Sequence, residues 1–375
     1  MRVVFDFNPV LINRFSGFHT FGKGLLEGFS ALSEKPEVSL FYSKRFSTQA
    51  KSIARAFGDW AVLKGTSVKM RWLEKWWQMS SWPLLEHFTG EFDVYHCFHH
   101  LMPPAKGKPR ILTVHDLRRY KLPGLYKKSK LGLFESAVKK ADHFIAVSEA
   151  TKQDLCSIFN LPPEKVSAIS LATGTAVNIL DEFQKQENKR ILSKKVGVNL
   201  DRFIIAFSSP DRRKNVGRII QSFQQAKKDL PAALKLVIVG SPPKNDKDFS
   251  ALINSGGLND VVLTGPLEDI SMLLACSDGL VFASLYEGFG IPILEAFSFG
   301  VPVITSNCSS MPEVAADAAL YVNPEEIDSI SQGIVTLCNN HELRLQLIRR
   351  GLSRLKCFSW TKTAAETLEV YKKVL

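Results

Sequence analysis

The segment Ser284-Leu-Tyr-Glu-Gly-Phe-Gly-Ile-Pro-Ile-Leu-Glu295 gathers glycines, acids and a proline directly after an apolar run, Gly279-Leu-Val-Phe-Ala283. Together they read as a buried strand, a glycine-bearing turn and a helix opening at Pro292, where a missing N–H costs nothing. Gly288 and Gly290 let the backbone approach a ligand, and a helix N-terminus offers amides to an anion. Glu287 precedes the glycines and Glu295 lies about one turn into the helix, so carboxylates frame the anion site on both sides. A phosphate cradle with acids beside it suits a phosphorylated sugar, with the carboxylates on hydroxyls. The bland alternative is a pair of solvated loop and helix-cap glutamates.

A second constellation, Ser208-Ser-Pro-Asp-Arg-Arg-Lys-Asn215, lies between another strand and helix. Arg213 and Lys214 could bind a diphosphate, the lysine as a mobile point charge. Ile111-Leu-Thr-Val-His-Asp116 places His115 and Asp116 at a strand's carboxyl end, where α/β sheets bind ligands. Asn13-Arg-Phe-Ser-Gly-Phe-His-Thr20 puts Gly17 in the loop after the first strand, without the G-x-G-x-x-G spacing of a dinucleotide site. His96, His99 and His100 lack a second cluster to complete a zinc site. Asp246-Lys-Asp248 has the form of a D-x-D metal motif but sits in a lysine-bearing polar loop. Neither a metal nor a cofactor is expected.

Glu287-x7-Glu295, with Glu-Gly-Phe-Gly-x-Pro inside it, resembles the donor-site signature of the retaining nucleotide-sugar glycosyltransferases of family 4, the group 1 glycosyl transferases. The likeness continues through Ala296-Phe-Ser-Phe-Gly-Val-Pro-Val-Ile-Thr-Ser306 and Met311-Pro-Glu313, and more weakly from the Gly17 loop to Trp360. It implies an α/β GT-B fold, two doubly wound Rossmann-like domains facing across a cleft. It also implies that Glu287 contacts the donor sugar and Glu295 the ribose diol, the use dinucleotide sites make of an acid. Lys214 with an arginine, Arg213 or Arg212, would neutralise the leaving diphosphate. Many members carry that arginine near the position of Ser208, where this chain has no base. His115 would reach the donor sugar, and Gly17, Ser208, Gly288, Phe289, Gly290 and Ile291 would contact the donor. The Arg-Lys-Asn and Glu-Gly-Phe-Gly forms resemble bacterial mannosyl- and related transferases of surface-polysaccharide assembly. They point to a GDP- or UDP-linked hexose, possible mannose transfer, and a glycan or lipid-linked acceptor. A sugar-nucleotide epimerase or hydrolase, or a non-catalytic sensor, would use the same fold.

Positioning these residues takes two domains, for which 375 residues suffice. Strand-like runs at Val3–Phe7, Val38–Tyr42, Val94–Cys97, Ile111–Val114, Phe144–Val147 and Val166–Leu171 alternate with helical ones at Thr20–Leu32, Lys127–Ala141 and Ala150–Phe159. Ser148 is the expected cap of the last helix. After a polar stretch, Ala172 to Asn178, alternation restarts with strands at Phe203–Phe207, Leu236–Val239, Val261–Leu263, Leu280–Phe282, Val303–Thr305 and Leu320–Val322. A helical tail then runs from about Glu325 to Val374. We therefore expect an acceptor-side domain at 1–171, a donor domain at 178–355, and a helix at 356–375 returning to the first domain on an apolar stripe of Ala364, Leu368, Tyr371 and Leu375.

Hydrophobic content of 45% with 23% charge is globular. No run nears the roughly 18 apolar residues of a membrane span, and Asp6 interrupts any signal peptide, so a cytoplasmic protein is expected. Six scattered cysteines read as buried thiols. The net charge of +11 favours an anionic partner. Residues 44–90 break the alternation, interleaving Lys44, Arg45, Lys69, Arg71 and Lys75 with Trp60, Trp72, Trp76, Trp77 and Trp82. They read either as inserted helices packed on the domain or as an interface for an anionic membrane, with Arg118–Lys121 and Lys127–Lys130 adding charge. No signature supports nucleic-acid binding.

Overall fold

The computed structural model describes residues 1–375 except 15, 127–130, 245, 255 and 257, and only the backbone at 247 and 248. The basic run 127–130 and the side chains of Lys247 and Asp248 thus lie outside the described residues. Packing divides the chain into two units, Met1–Gly174 with Phe358–Leu375, and Thr175–Cys357.

Unit one holds β1 (Arg2–Asp6), β2 (Glu37–Ser43), β3 (Ala61–Thr66), β4 (Val94–Cys97), β5 (Arg110–Val114), β6 (His143–Ala146) and β7 (Val166–Ala168). The strands are parallel, in the order β3-β2-β1-β4-β5-β6-β7. Runs such as Val3-Val-Phe5 are buried because helices cover both faces of a parallel sheet. The strand β3 is a departure from expectation. It lies inside 44–90, where no strand was anticipated, because an edge strand needs no apolar run and this one carries exposed Val62 and half-buried Lys64.

Unit two holds β8 (Arg202–Ser208), β9 (Leu234–Gly240), β10 (Val261–Gly265), β11 (Gly279–Phe282), β12 (Val303–Ser306) and β13 (Ala319–Val322). They too are parallel, in the order β10-β9-β8-β11-β12-β13. Each sheet starts centrally, grows to one side, then resumes on the other. The reversal falls between β1 and β4 in unit one and between β8 and β11 in unit two. Such switch points open a crevice at the strands' carboxyl ends, where doubly wound sheets bind ligands.

The expected helical tail, with its returning helix at 356–375, is three helices, Ile327–Asn339, His341–Leu355 and Trp360–Val374. Asn340 starts the second, accepting from Leu343 N–H at 2.9 Å, and Ser359 starts the third, accepting from Lys362 N–H at 3.1 Å. These side chains satisfy amides that no preceding turn could reach, which divides the apolar pattern without interrupting it.

The last helix packs within unit one on the helix Gly17–Ser30. A Cβ on Gly28 would lie 2.0 Å from the Trp360 carbonyl oxygen, so the close approach requires glycine there. Tyr371 stacks on Phe29, and its hydroxyl meets His96 Nδ1 at 2.6 Å, while His96 Nε2 meets the Thr113 hydroxyl at 2.6 Å. Burial holds His96 neutral, its pKa pushed down to about 3. A neutral imidazole can donate on one side and accept on the other, which ties β4, β5 and the last helix together.

Gly28→Ala should destabilise unit one by about 1–3 kcal/mol, the range for overpacking. Gly17→Ala serves as the control, since no atom lies within 4 Å of its added Cβ, and should change stability by less than about 0.5 kcal/mol. Urea unfolding of both variants checks this; equal midpoints would place the helix contact elsewhere.

Candidate functional site

In unit two the residues after β8 and β11 meet at the carboxyl edge. After β8 the chain turns through Arg212–Lys214 into the helix Val216–Ala226. Asn215 makes that turn with φ 61°, a conformation asparagine tolerates, and its Nδ2 donates to Ala283 O at 3.0 Å and Pro324 O at 2.7 Å. The backbone N–H of Leu285 donates to Arg213 O at 2.8 Å. These bonds fix the two loops against each other before any charge is considered.

Glu287 occupies the junction and is 7% exposed. Its Oε1 accepts from Lys214 Nζ at 2.7 Å and from the Ser284 hydroxyl at 2.9 Å, and its Oε2 pairs with the Arg213 guanidinium. Arg213 also donates to Tyr286 O at 3.0 Å, with Asp211 on its other side at 3.4 Å. Lys214 Nζ lies 4.4 Å from the centre of the Phe282 ring. Burial alone would push the Glu287 carboxyl up; Arg213 and then Lys214 outweigh it and hold the pKa at about 2. Burial likewise pulls Lys214 down, partly offset by Glu287.

The helix after the turn spans Ile291–Ser298, so Pro292 is its second residue rather than its first. Gly290 precedes it with φ 111°, a region open to glycine alone at little cost. The Ser310 hydroxyl lies 2.9 Å from Glu287 O and 2.7 Å from Phe289 O, a donor to either carbonyl, and holds the glycine turn from the far side. Glu295 is driven above the usual carboxylate range by burial, with Lys214 as the offsetting charge, so the lysine acts on both glutamates.

Among the sequence-derived candidates, Glu287, Arg213 and Lys214 form one bonded group, with Glu295 within reach of the lysine's charge. Gly288, Phe289, Gly290 and Ile291 form the turn between the glutamates. Ser208 ends β8 with its hydroxyl on Ser241 O at 2.7 Å. Arg212 has a buried Nε without a hydrogen-bond partner. His115 and Gly17 belong to unit one. His115 stands edge-on to Phe18 and Phe21, at 4.7 and 4.8 Å between ring centres, and its buried Nε2 has no partner. Burial pushes its pKa down to about 3. Gly17 is the first residue of its helix rather than part of the loop, because Ser16 accepts from His19 N–H at 3.2 Å and starts the helix early. Sequence reasoning passed over Ser284, Ser310 and Asp211. Ser284 opens the quoted string that ends at Glu295, and Ser310 stands directly before Met311-Pro-Glu313.

Family models match most of the chain: "Glycosyl transferases group 1" over residues 188–354 and "Glycosyltransferase Family 4" over 37–173. The chain belongs to the group 1 GT-B glycosyltransferases. A similar transferase, the O-antigen chain mannosyltransferase B of Escherichia coli, is 24% identical over 99% of this chain and 100% of its own length. The O-antigen chain mannosyltransferase RfbU of Salmonella typhimurium is 27% identical over 69% of each chain. The serotype-specific mannosyltransferase WbdA of Escherichia coli is 27% identical, and this chain spans about a third of its length. Among solved structures, Anabaena HepE in complex with UDP and glucose superposes with a TM-score of 0.71 at 16% identity, covering 100% of both chains. WaaG, a glycosyltransferase involved in lipopolysaccharide biosynthesis, gives 0.67 at 15% identity over 99% of both.

The ion group makes this transferase acid-sensitive in a defined window. Because the Glu287 pKa is lowered on folding from 4.5 to about 2, its stabilisation is complete above 4.5 and is lost as pH falls towards 2. The full contribution is about 3 kcal/mol. In urea unfolding, the parent's advantage over Glu287→Gln should be largest near neutral pH and shrink through that window. A constant difference at every pH would show that the carboxylate's charge is not what holds the loops.

Proposed function

We propose that this chain is a retaining, metal-independent hexosyltransferase that moves a hexose, mannose as first choice, from a GDP- or UDP-linked donor to a glycan or lipid-linked acceptor in polysaccharide assembly. The observation that carries the reading is the convergence of Arg213 and Lys214 on Glu287 at the switch point of unit two. Two cations, each with its side chain 13% exposed, stand at a carboxyl edge beside a helix N-terminus, where a departing diphosphate develops charge. Glu287 keeps them in register when no donor is bound and turns towards the sugar when the diphosphate draws them away. Glu295, one turn along, suits the ribose diol. The leaving phosphate's charge is met by the protein's own cations and amides, so the reaction needs no metal. The mannosyltransferase names of the O-antigen relatives support the donor sugar and the polysaccharide setting, and UDP in HepE supports a nucleotide diphosphate. Retention follows the family mechanism, with front-face attack and the phosphate oxygen as base.

The acceptor side carries a surface suited to an anionic membrane. On the helix Met70–Met79, Leu73 and Trp77 are buried while Trp72 and Trp76 are half exposed and Met79 is 85% exposed. Arg71 and Lys75 lie beside Trp72, and Trp82 stands out close to Trp76. Aromatic side chains flanked by cations are the composition of an interfacial patch. The described helices include none long and apolar enough to cross a membrane. In this reading the protein works from the cytoplasmic face as a peripheral one, held by that patch. Co-sedimentation with vesicles should require anionic lipid and weaken as salt rises. The Trp72→Ser, Trp76→Ser pair should abolish it; binding indifferent to lipid charge would end the membrane reading.

For the donor site, Lys214→Ala should depress turnover by about 100- to 1,000-fold, the scale for one lost preorganised donor. Glu295→Ala should chiefly raise the donor KM, as loss of uniform binding does. Steady-state kinetics with a radiolabelled nucleotide-sugar panel, with and without acceptor, separates transferase from hydrolase. Parent-level rates in both variants would move the donor site elsewhere.

A further inference from the structure

The loop after β12, Ser306-Asn-Cys-Ser-Ser310, reaches the turn after β11 through its side chains. The Ser306 hydroxyl donates to Ser284 O at 2.6 Å, and the Cys308 thiol stands 3.6 Å from Leu285 O. At the far end the Ser310 hydroxyl lies 2.7 Å from Phe289 O. Between them Ser309 meets both polar groups of the Glu287 backbone with one hydroxyl. Its Oγ donates to Glu287 O at 2.5 Å and accepts from Glu287 N–H at 3.3 Å. A hydroxyl carries one hydrogen and two lone pairs, so both bonds stand at once.

Ser309 does this from a disfavoured backbone conformation. Its φ is 56°, in the left-handed region that glycine and asparagine enter readily and serine does not. Glycine would take the same backbone without strain and would lose only the hydroxyl. Such outliers persist where surrounding bonds over-determine them, and they gather at functional sites. Here those bonds end on a single residue, the glutamate shared by Arg213 and Lys214. They reach its main chain, whereas its carboxylate is held by the two cations and Ser284. The two ends of Glu287 thus have separate anchors, the main chain on the loop after β12 and the carboxylate chiefly on the loop after β8.

We propose that Ser309 is a positioning residue for the transfer reaction: its left-handed backbone and its hydroxyl fix the Glu287 main chain, so that the carboxylate can leave the cations for the sugar without the turn moving. The inference rests on the transferase reading and deepens it, since that reading has Glu287 change partners within one turnover. A group that swings between partners arrives accurately only from a fixed main chain, and small misplacements near reacting atoms lower rates steeply. Ser309 acts through Glu287.

Two substitutions separate the hydroxyl from the strain. Ser309→Gly removes both, and Ser309→Ala removes the hydroxyl while keeping the strain. In urea unfolding the alanine variant should have the lower midpoint of the two. Hydrogen exchange of the full chain without donor should speed at least ten-fold at residues 284–290 in Ser309→Gly, with β8 at the parent rate. With donor and acceptor, kcat of Ser309→Gly should fall at least ten-fold while the donor KM stays within two-fold. A serine with a general structural role would instead loosen β8 together with the turn. Unchanged exchange at 284–290, exchange raised equally in β8, or a parent-level kcat in Ser309→Gly overturns the proposal. So does an alanine variant as stable as the glycine one. Where the parent transfers sugar from no donor, the transferase reading fails instead, and the exchange rates alone decide whether Ser309 holds Glu287.

Discussion

The second unit depends on a buried carboxylate shared by two cations. Putting Glu287 out of water is costly, and the cost is offset only because Arg213, Lys214 and Ser284 all reach it. Those partners come from loops that follow different strands, so the ion group can form only after β8 and β11 pair. The same arrangement keeps two positive charges at the carboxyl edge of the sheet, where a helix N-terminus adds amides. Structural and chemical demands on the residues therefore coincide, and neither cation can be removed without exposing the other's dependence on Glu287.

Unit one is held by a contrasting device. Its closing helix depends on the missing side chain of Gly28 and on a neutral histidine, with no buried ion pair at the contact among the described residues. Small residues allow two helices to approach until backbone meets ring, and His96 then links helix and sheet by two hydroxyl contacts. The cavity at the switch point of this sheet is lined by Asp6, Glu74 and Arg45, whereas the other gathers Arg213 and Lys214 around Glu287.

Much of this was legible in the residue order. Parallel sheets bury strands on both faces, so runs such as Phe203–Phe207 and Leu280–Phe282 announced themselves, and they fall within β8 and β11. Edge strand β3 did not, because a half-exposed edge needs no apolar run. Ser148 caps its helix as expected, but the helix ends at Ser16 and at Asn340 were misplaced, since capping is a local bond that periodicity does not register. Trp72, Trp76 and Trp77 looked alike in sequence, yet only Trp77 is buried, as its indole N–H reaches Pro83 O at 2.7 Å.

By itself the sequence determined the class of fold and the family, because alternating apolar runs dictate stacked parallel strands and the Glu287–Glu295 string resembles the signature of the group 1 glycosyl transferases. It also placed each acid and base on its own loop. Only the tertiary structure decided that Arg213, rather than Arg212, shares Glu287 with Lys214. It alone brought Asp6, Glu74 and His100 to one cavity from three separate stretches of chain. Such meetings depend on strand order, and strand order follows from the packing of whole helices and sheets, which no local run of residues encodes.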